Sequence, residues 1–251
     1  TFKVMPVTPS CLHMREQQEM SQTPFNIQRA AVIGAGTMGR GIVMCLANAG
    51  LPVQWVDTNP QMLEQALAAV ADTLAHNVRQ GRIDQVEADA RFARIETAAD
   101  YIAIRNVDLV IEAVYENLEL KQKIFRELDG LLKPEAILAS NTSALDIDAI
   151  AAATRRPQQV LGLHFFSPAH IMKLLEIVRG AQTAPAVLEA ALALGKRMGK
   201  VSVVAGNCDG FIGNRMLNTY VLETRKMLLE GALPYQVDAV LQGFGFAMGP
   251  F

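Results

Sequence analysis

The sequence predicts an α/β fold, a doubly wound and mostly parallel sheet followed by the start of an all-helical C-terminal domain. Three observations predict it. Short apolar runs of strand length alternate with helical segments from residue 30 to residue 204, the pattern made by right-handed β-α-β crossovers. A glycine cluster sits at the first strand-to-helix turn, where open parallel sheets take their ligands. Around Ala205 to Asp209 the alternation stops, and the remainder of the chain reads only as helix.

Taken in order, the run Ala-Ala-Val-Ile at 30–33 is apolar on both faces and meets glycines at once, as a buried central strand does. Residues 41–48 read as helix, 53–56 as a second strand, and 60–79 as a long amphipathic helix. Strand 109–114, helix 121–132, strand 136–139 and strand 160–166 continue the series. Strands at 174–178 and 201–204 flank an Ala-rich helix at 185–198. Asp209 is placed to cap a helix over 211–230, with Ile212, Met216, Tyr220 and Met227 near one face and Gly231 as its stop. A shorter helix over 234–241 comes next. The reading gives a sheet domain at 29–208 and, at 209–251, the beginning of a helical one too small to bury a core alone. Residues 1–28 carry Pro6, Pro9 and Pro24 without apolar periodicity and read as a linker or leftover segment, and Glu16 and Glu19 argue against a transit peptide.

Charge and composition narrow the function. The 251 residues hold 23 Lys+Arg against 25 Asp+Glu, a net charge of -2, without the concentrated basic face of a nucleic-acid binder. No nucleic-acid partner is expected. No apolar run approaches the roughly 18 residues of a membrane-spanning helix. Cys11, Cys45 and Cys208 are too scattered for a disulfide framework or a metal site, so no metal and a reducing compartment are expected.

Gly34-Ala35-Gly36-Thr37-Met38-Gly39 follows a strand and precedes a helix, and Asp57 ends the next strand. That is the context of a Rossmann-like dinucleotide turn: Gly34 for the tight bend, Gly36 for close approach of a pyrophosphate, Gly39 for helix-strand packing. Asp57 suits the ribose hydroxyls and repels a 2′-phosphate, which favours NAD over NADP. Further along, His164 interrupts the apolar Leu-Gly-Leu-His-Phe-Phe, and Glu176 interrupts Leu-Leu-Glu-Ile-Val. A buried carboxylate needs a partner, and pairing across adjacent strands makes Glu176 the orienter of His164. Such a pair suits proton abstraction from a secondary alcohol. Ser143, at the end of strand 136–139, lies where open parallel sheets place their ligands, and Asn214, in the first turn of the C-terminal helix, can hold a substrate carbonyl. Each also has a structural reading: His164 as a hydrogen-bonded core residue, Ser143 as the cap of a helix starting near Leu145, Asn214 as a local hydrogen-bonding group.

Five segments then carry a resemblance: Gly-Ala-Gly-Thr-Met-Gly-Arg-Gly-Ile (34–42), Ile-Glu-Ala-Val-Tyr-Glu-Asn-Leu (111–118), Ser-Asn-Thr-Ser (140–143), Gly-Leu-His-Phe-Phe-Ser-Pro-Ala (162–169) and Asp-Gly-Phe-Ile-Gly-Asn-Arg (209–215). Together they resemble the L-3-hydroxyacyl-CoA dehydrogenase family. The resemblance implies oxidation of an L-3-hydroxyacyl-CoA to the 3-oxoacyl-CoA in fatty-acid β-oxidation, with NAD as cofactor, His164 as general base and Glu176 as its partner. It implies that Ser143 and Asn214 hold the substrate oxygen, and that Glu116 and Lys121, otherwise readable as a solvated helix start, lie at the cofactor. Ser167 stands where many single-function members have Asn, which is closer to the dehydrogenase part of multifunctional β-oxidation enzymes. The stretch 57–120 has no lysine, so Arg79 or Arg82 is expected to serve the CoA phosphates. The family continues past Met-Gly-Pro-Phe into more of its helical domain, expected to supply a homodimer interface or a place in a larger β-oxidation assembly. The expected compartment is cytoplasmic in a bacterium, mitochondrial or peroxisomal in a eukaryote. A short-chain 3-hydroxybutyryl-CoA dehydrogenase working reductively and a crystallin-like structural relative are the alternatives.

Overall fold

A computed structural model describes residues 25–251, so of the linker expected over residues 1–28 the first 24 lie outside the described residues and the last four do not behave as linker. At 25–28 the chain is already packed: Ile27 is buried, Phe25 rests on the same core, and Arg197 donates to the Ile27 carbonyl. β1 (Ala30–Ile33) is buried along its whole length because it lies at the centre of a sheet covered on both faces. The sheet has eight strands in the order β3-β2-β1-β4-β5-β6-β7-β8, with β2 (Val53–Val56), β3 (Ile95–Ala98), β4 (Leu109–Glu112), β5 (Ile137–Ser140), β6 (Val160–Phe165), β7 (Leu174–Arg179) and β8 (Val201–Gly206). All neighbours pair in parallel except β6 and β7. The order steps outward in both directions from β1 and β4, which opens a crevice at their carboxyl ends.

The helices follow the predicted series with shifted ends. α1 (Thr37–Asn48) starts inside the glycine cluster rather than after it, since buried Gly39 and Gly41 serve packing where helix propensity alone argues against them. α2 (Pro60–Arg79) runs over the predicted span, opened by Pro60 and capped by the Asn59 side chain. α4 (Leu118–Leu131), α6 (Pro185–Arg197), α7 (Gly213–Leu229) and α8 (Pro234–Phe244) match the remaining segments. Three elements escape the hydrophobic pattern. α3 (Gln85–Phe92) buries Ala88 alone, β3 is a half-exposed edge strand, and α5 (Ile147–Ala151) is one turn long. None presents enough apolar surface for periodicity to register.

Asp209 does not cap α7. The helix begins at Gly213 with Ile212 at its N-cap and no side-chain cap of its own; the capping acceptor is a β7 side chain, Glu176. The predicted apolar face of α7 is open in this chain, with Met216 70% and Met227 45% exposed. A groove of about 530 Å³ between α7 and α8 is lined by Tyr220, Met227, Val237 and Leu241 among others. Among the described residues, no helix is long and apolar enough to cross a membrane.

Gly39 fixes where α1 sits on the sheet, because a β-carbon there would lie 1.9 Å from the Gly34 carbonyl oxygen. At Gly36 a β-carbon would meet nothing within 4 Å, and its φ of -72° suits any residue. Equilibrium urea unfolding should therefore show Gly39→Ala destabilised by about 2 kcal/mol or more and Gly36→Ala by less than about 0.5 kcal/mol. Equal costs would remove the packing role assigned to Gly39.

Candidate active site

β1 delivers the chain to a turn that only glycine can make. Gly34 has φ +109°, and a β-carbon there would lie 2.6 Å from the Ala113 carbonyl oxygen. Its own carbonyl accepts a hydrogen bond of 2.9 Å from the Trp55 indole. The N-terminus of α1 then faces outward, with no side-chain cap and no acid in its first turn, so its N–H groups and partial positive charge are available to an anion. Open space at Gly36 makes this a cradle that a side chain would fill. Asp57, at the end of β2, braces the turn: its Oδ2 accepts from Ala35 N at 2.7 Å and its Oδ1 from Asn59 N at 2.8 Å. With Gly34 and Tyr101 it lines a cleft of about 490 Å³. Burial, together with the Glu127, Asp57 and Glu112 carboxylates, pushes the Tyr101 phenol up to about 12, so it remains a hydrogen-bond donor on that wall. The turn, the open cradle and the acid on the adjoining strand fit a dinucleotide.

The second half of the crevice is built by β6 and β7. Their antiparallel register sets His164 directly opposite Glu176, side chains on one face of the sheet. The ring Nδ1 lies 2.7 Å from Glu176 Oε2, with side chains 6% and 1% exposed. An ionised carboxylate can only accept, so Nδ1 is the nitrogen that donates to Glu176, and in the neutral ring the free lone pair is then on Nε2. The other oxygen, Oε1, accepts from Ile212 N at 3.2 Å and Gly213 N at 2.7 Å. Glu176 thus caps α7 from the sheet, and the helix dipole favours its negative charge. Phe166 and Phe211 pack against the imidazole, with ring centroids 4.4 Å and 5.8 Å away.

His164 opens on a cavity of about 380 Å³ that it shares with Met38, Glu116, Asn141, Ser143, Ser167 and Asn214, among others. Met38 belongs to the first turn of α1, so this cavity adjoins the glycine turn. Ser143 is not a helix cap, since α5 is capped by Asp146. Instead its N–H and hydroxyl donate to Glu116 Oε1 at 2.8 Å and 3.3 Å, alongside the Thr142 hydroxyl at 2.6 Å. Nor is Asn214 satisfied within its own helix: its amide donates to the Ser143 carbonyl at 3.2 Å, tying α7 to the loop after β5. Burial by itself raises the Glu116 carboxyl, but the hydrogen bonds from Thr142 and Ser143 and the Lys121 ammonium outweigh it and hold the group below the usual carboxylate range.

Lys121 is not on a solvated helix start. Asn117 caps α4, and Lys121 turns inward, 1% exposed, with its ammonium 2.7 Å from Glu112 and 3.3 Å from Glu116. Glu112, fully buried at the end of β4, is a site residue that sequence reasoning misses. It also accepts from Val114 N and the Ser140 hydroxyl, at 2.8 Å and 2.7 Å. A signal for it exists, because an acid closes the apolar Leu-Val-Ile-Glu just as Asp57 closes β2. Arg79 and Arg82 lie elsewhere, both at the far end of the α2–α3 hairpin and both exposed. Arg82 donates to Asn77, and neither lines the cavity around His164.

The comparisons agree with this geometry. Residues 29–208 match the family model for the 3-hydroxyacyl-CoA dehydrogenase NAD binding domain, and residues 210–251 match that for the C-terminal domain. The chain is 48% identical over 228 residues to a peroxisomal bifunctional enzyme of Danio rerio, covering 91% of this chain and 31% of the relative. It spans about a third of the length of such curated relatives. Among solved structures, 3-hydroxybutyryl-CoA dehydrogenase from Escherichia coli superposes with a TM-score of 0.88 at 39% identity, over 90% of this chain and 48% of that one. (S)-3-Hydroxybutyryl-CoA dehydrogenase from Ralstonia eutropha gives 0.87 at 36%, over 90% and 80%. With the glycine turn, the His164–Glu176 pair and both family models in register along one chain, this protein belongs to the 3-hydroxyacyl-CoA dehydrogenase family.

Proposed function

We propose that this chain carries the NAD-dependent oxidation of L-3-hydroxyacyl-CoA to 3-oxoacyl-CoA, with residues 29–208 holding the cofactor and residues 209–251 opening the helical substrate domain. One observation carries the reading: the 2.7 Å contact between His164 Nδ1 and Glu176 leaves Nε2 as a base in a cavity shared with Ser143 and Asn214. Gly34, Gly36, Thr37, Met38, Gly39 and Asp57 would hold the dinucleotide, with Glu116, Lys121, Ser143 and Ser167 toward its nicotinamide end. When bound, NAD supplies the hydride acceptor. His164 takes the hydroxyl proton at Nε2 while Glu176 holds the ring in one tautomer and stabilises the imidazolium. The Ser143 hydroxyl and the Asn214 amide orient the substrate oxygen, and Phe166 and Phe211 keep water from the imidazole.

Arg79 and Arg82, exposed at the end of the α2–α3 hairpin, are the cations proposed for the CoA phosphates. The open apolar face of α7 and α8 supports a homodimer or a larger β-oxidation assembly as the working form. Relatives named as peroxisomal, such as the Danio rerio and Homo sapiens bifunctional enzymes, support the peroxisomal compartment over the cytoplasmic one. The likeness to solved 3-hydroxybutyryl-CoA dehydrogenases supports a short-chain reading as the second choice. A chain-length series of 3-hydroxyacyl-CoA substrates separates the two.

With the chain assayed for NADH formation from L-3-hydroxybutyryl-CoA and a longer homologue, His164→Ala should lower kcat by about 10³-fold while NAD affinity, read by titration, stays within about threefold. Glu176→Gln should lose roughly 10²-fold by freeing the tautomer. Unchanged kcat in His164→Ala would overturn the base assignment. For the CoA contact, the double substitution Arg79→Ala, Arg82→Ala should raise KM about tenfold for the CoA thioester and leave the N-acetylcysteamine thioester unaffected; a parallel rise for both would remove these arginines from the phosphate site.

A further inference from the structure

The charges around the His164 cavity are unevenly placed. Among the described residues that line it, Glu116 is the carboxylate and no lysine or arginine is present. The nearby ammonium of Lys121 lies closer to Glu112, 2.7 Å against 3.3 Å to Glu116, and Glu112 is fully buried behind it. Two carboxylates and one ammonium leave one net negative charge. That charge resides on the Glu116 side, where the side chain is 39% exposed to the cavity mouth. Hydrogen bonds from Thr142 and Ser143 hold the carboxylate in place and keep it ionised through the neutral range.

We propose that Glu116 sets the preference between the oxidised and reduced cofactor: its carboxylate favours the cationic nicotinamide of NAD+ over the neutral ring of NADH, and thereby raises the occupancy of this site by the oxidised form. This rests on the dehydrogenase reading of the site. In that reaction the C–H electron pair leaves the alcohol carbon as hydride for the ring, the O–H proton passes to His164 Nε2, and the carbonyl forms. One positive charge disappears from the cofactor and one appears on the imidazole. Each end of that transfer has its own carboxylate, Glu116 before it and Glu176 after it. A fixed charge in the same low-dielectric cavity, at an effective dielectric of about 20, changes the affinity for a cation relative to its neutral form by on the order of tenfold.

The test is binding of each cofactor form without substrate, by NADH fluorescence titration and NAD+ competition, on the unmodified chain, Glu116→Gln and Glu116→Asp. Glutamine keeps an oxygen acceptor for Ser143 and Thr142 but removes the charge; aspartate keeps the charge and shortens the reach. The expected result is about a tenfold loss of NAD+ affinity in Glu116→Gln with NADH within about threefold, and a near-unmodified NAD+ to NADH ratio in Glu116→Asp. An equal loss of both forms in Glu116→Gln, an unmoved ratio, or a ratio in Glu116→Asp matching that of Glu116→Gln would overturn the charge assignment alone. Failure of the unmodified chain to bind either form would overturn the dehydrogenase reading with it.

Discussion

The Glu176 carboxylate is the constraint on which the active half of this molecule depends. It is 1% exposed and carries a charge whose burial costs several kcal/mol unless every lone pair finds a partner. Three groups meet that demand: the imidazole of His164 on the neighbouring strand and two main-chain N–H groups at the start of α7. One side chain therefore sets the tautomer of the proposed base and anchors the helical segment to the sheet. Gly213 has no side chain because a β-carbon there would crowd Phe166 at 2.9 Å and Glu176 at 3.4 Å. Close approach of the helix to the carboxylate is thus written into the sequence at that position.

The antiparallel pairing of β6 and β7 makes the contact possible. Had β7 run parallel, the residue facing His164 would have been joined to it by a crossover helix, and the short β6–β7 connection carrying Ser167 would not lie at the mouth of the cavity. The reversal places the His164–Glu176 pair in a cavity that adjoins the glycine turn. The Asn141 side chain accepts from Phe165 N at 2.9 Å and so joins the ends of β5 and β6.

Two buried acid-centred pairs, Glu112–Lys121 and Glu176–His164, underlie the site. Glu112 with Lys121 lies at the base of the β4–α4 loop, whose Glu116 is hydrogen-bonded to Ser143 of the β5–α5 loop, and Glu176 with His164 lies at the start of α7. Asn214 and the Ser143 carbonyl connect them. A displacement of α7 would therefore be felt at Glu176 and at Ser143 together, which makes the geometry of the proposed base and the proposed oxygen-holder a single mechanical unit. The low dielectric that makes these charges costly also makes their directional effects large.

The alternation of strands and helices, the glycine turn, Asp57 at the end of β2 and the His164–Glu176 pair were legible in the sequence, because each rests on a local pattern or on the isolation of a charge within an apolar run; that Asp57 braces the turn through Ala35 N and Asn59 N was not. Glu112 is legible by the same rule as Asp57 but has no second feature to draw it out. Lys121 on its own reads as a surface lysine, since a helix-start sequence does not say which way its first turn faces. Long-range packing was needed to show that Glu176 caps α7 in place of Asp209, that Ser143 answers to Glu116 rather than capping the helix near Leu145, and that α3 and β3 exist. Those outcomes depend on which distant donors and acceptors burial brings within about 3 Å of one another, a quantity that long-range packing fixes and short-range periodicity does not contain.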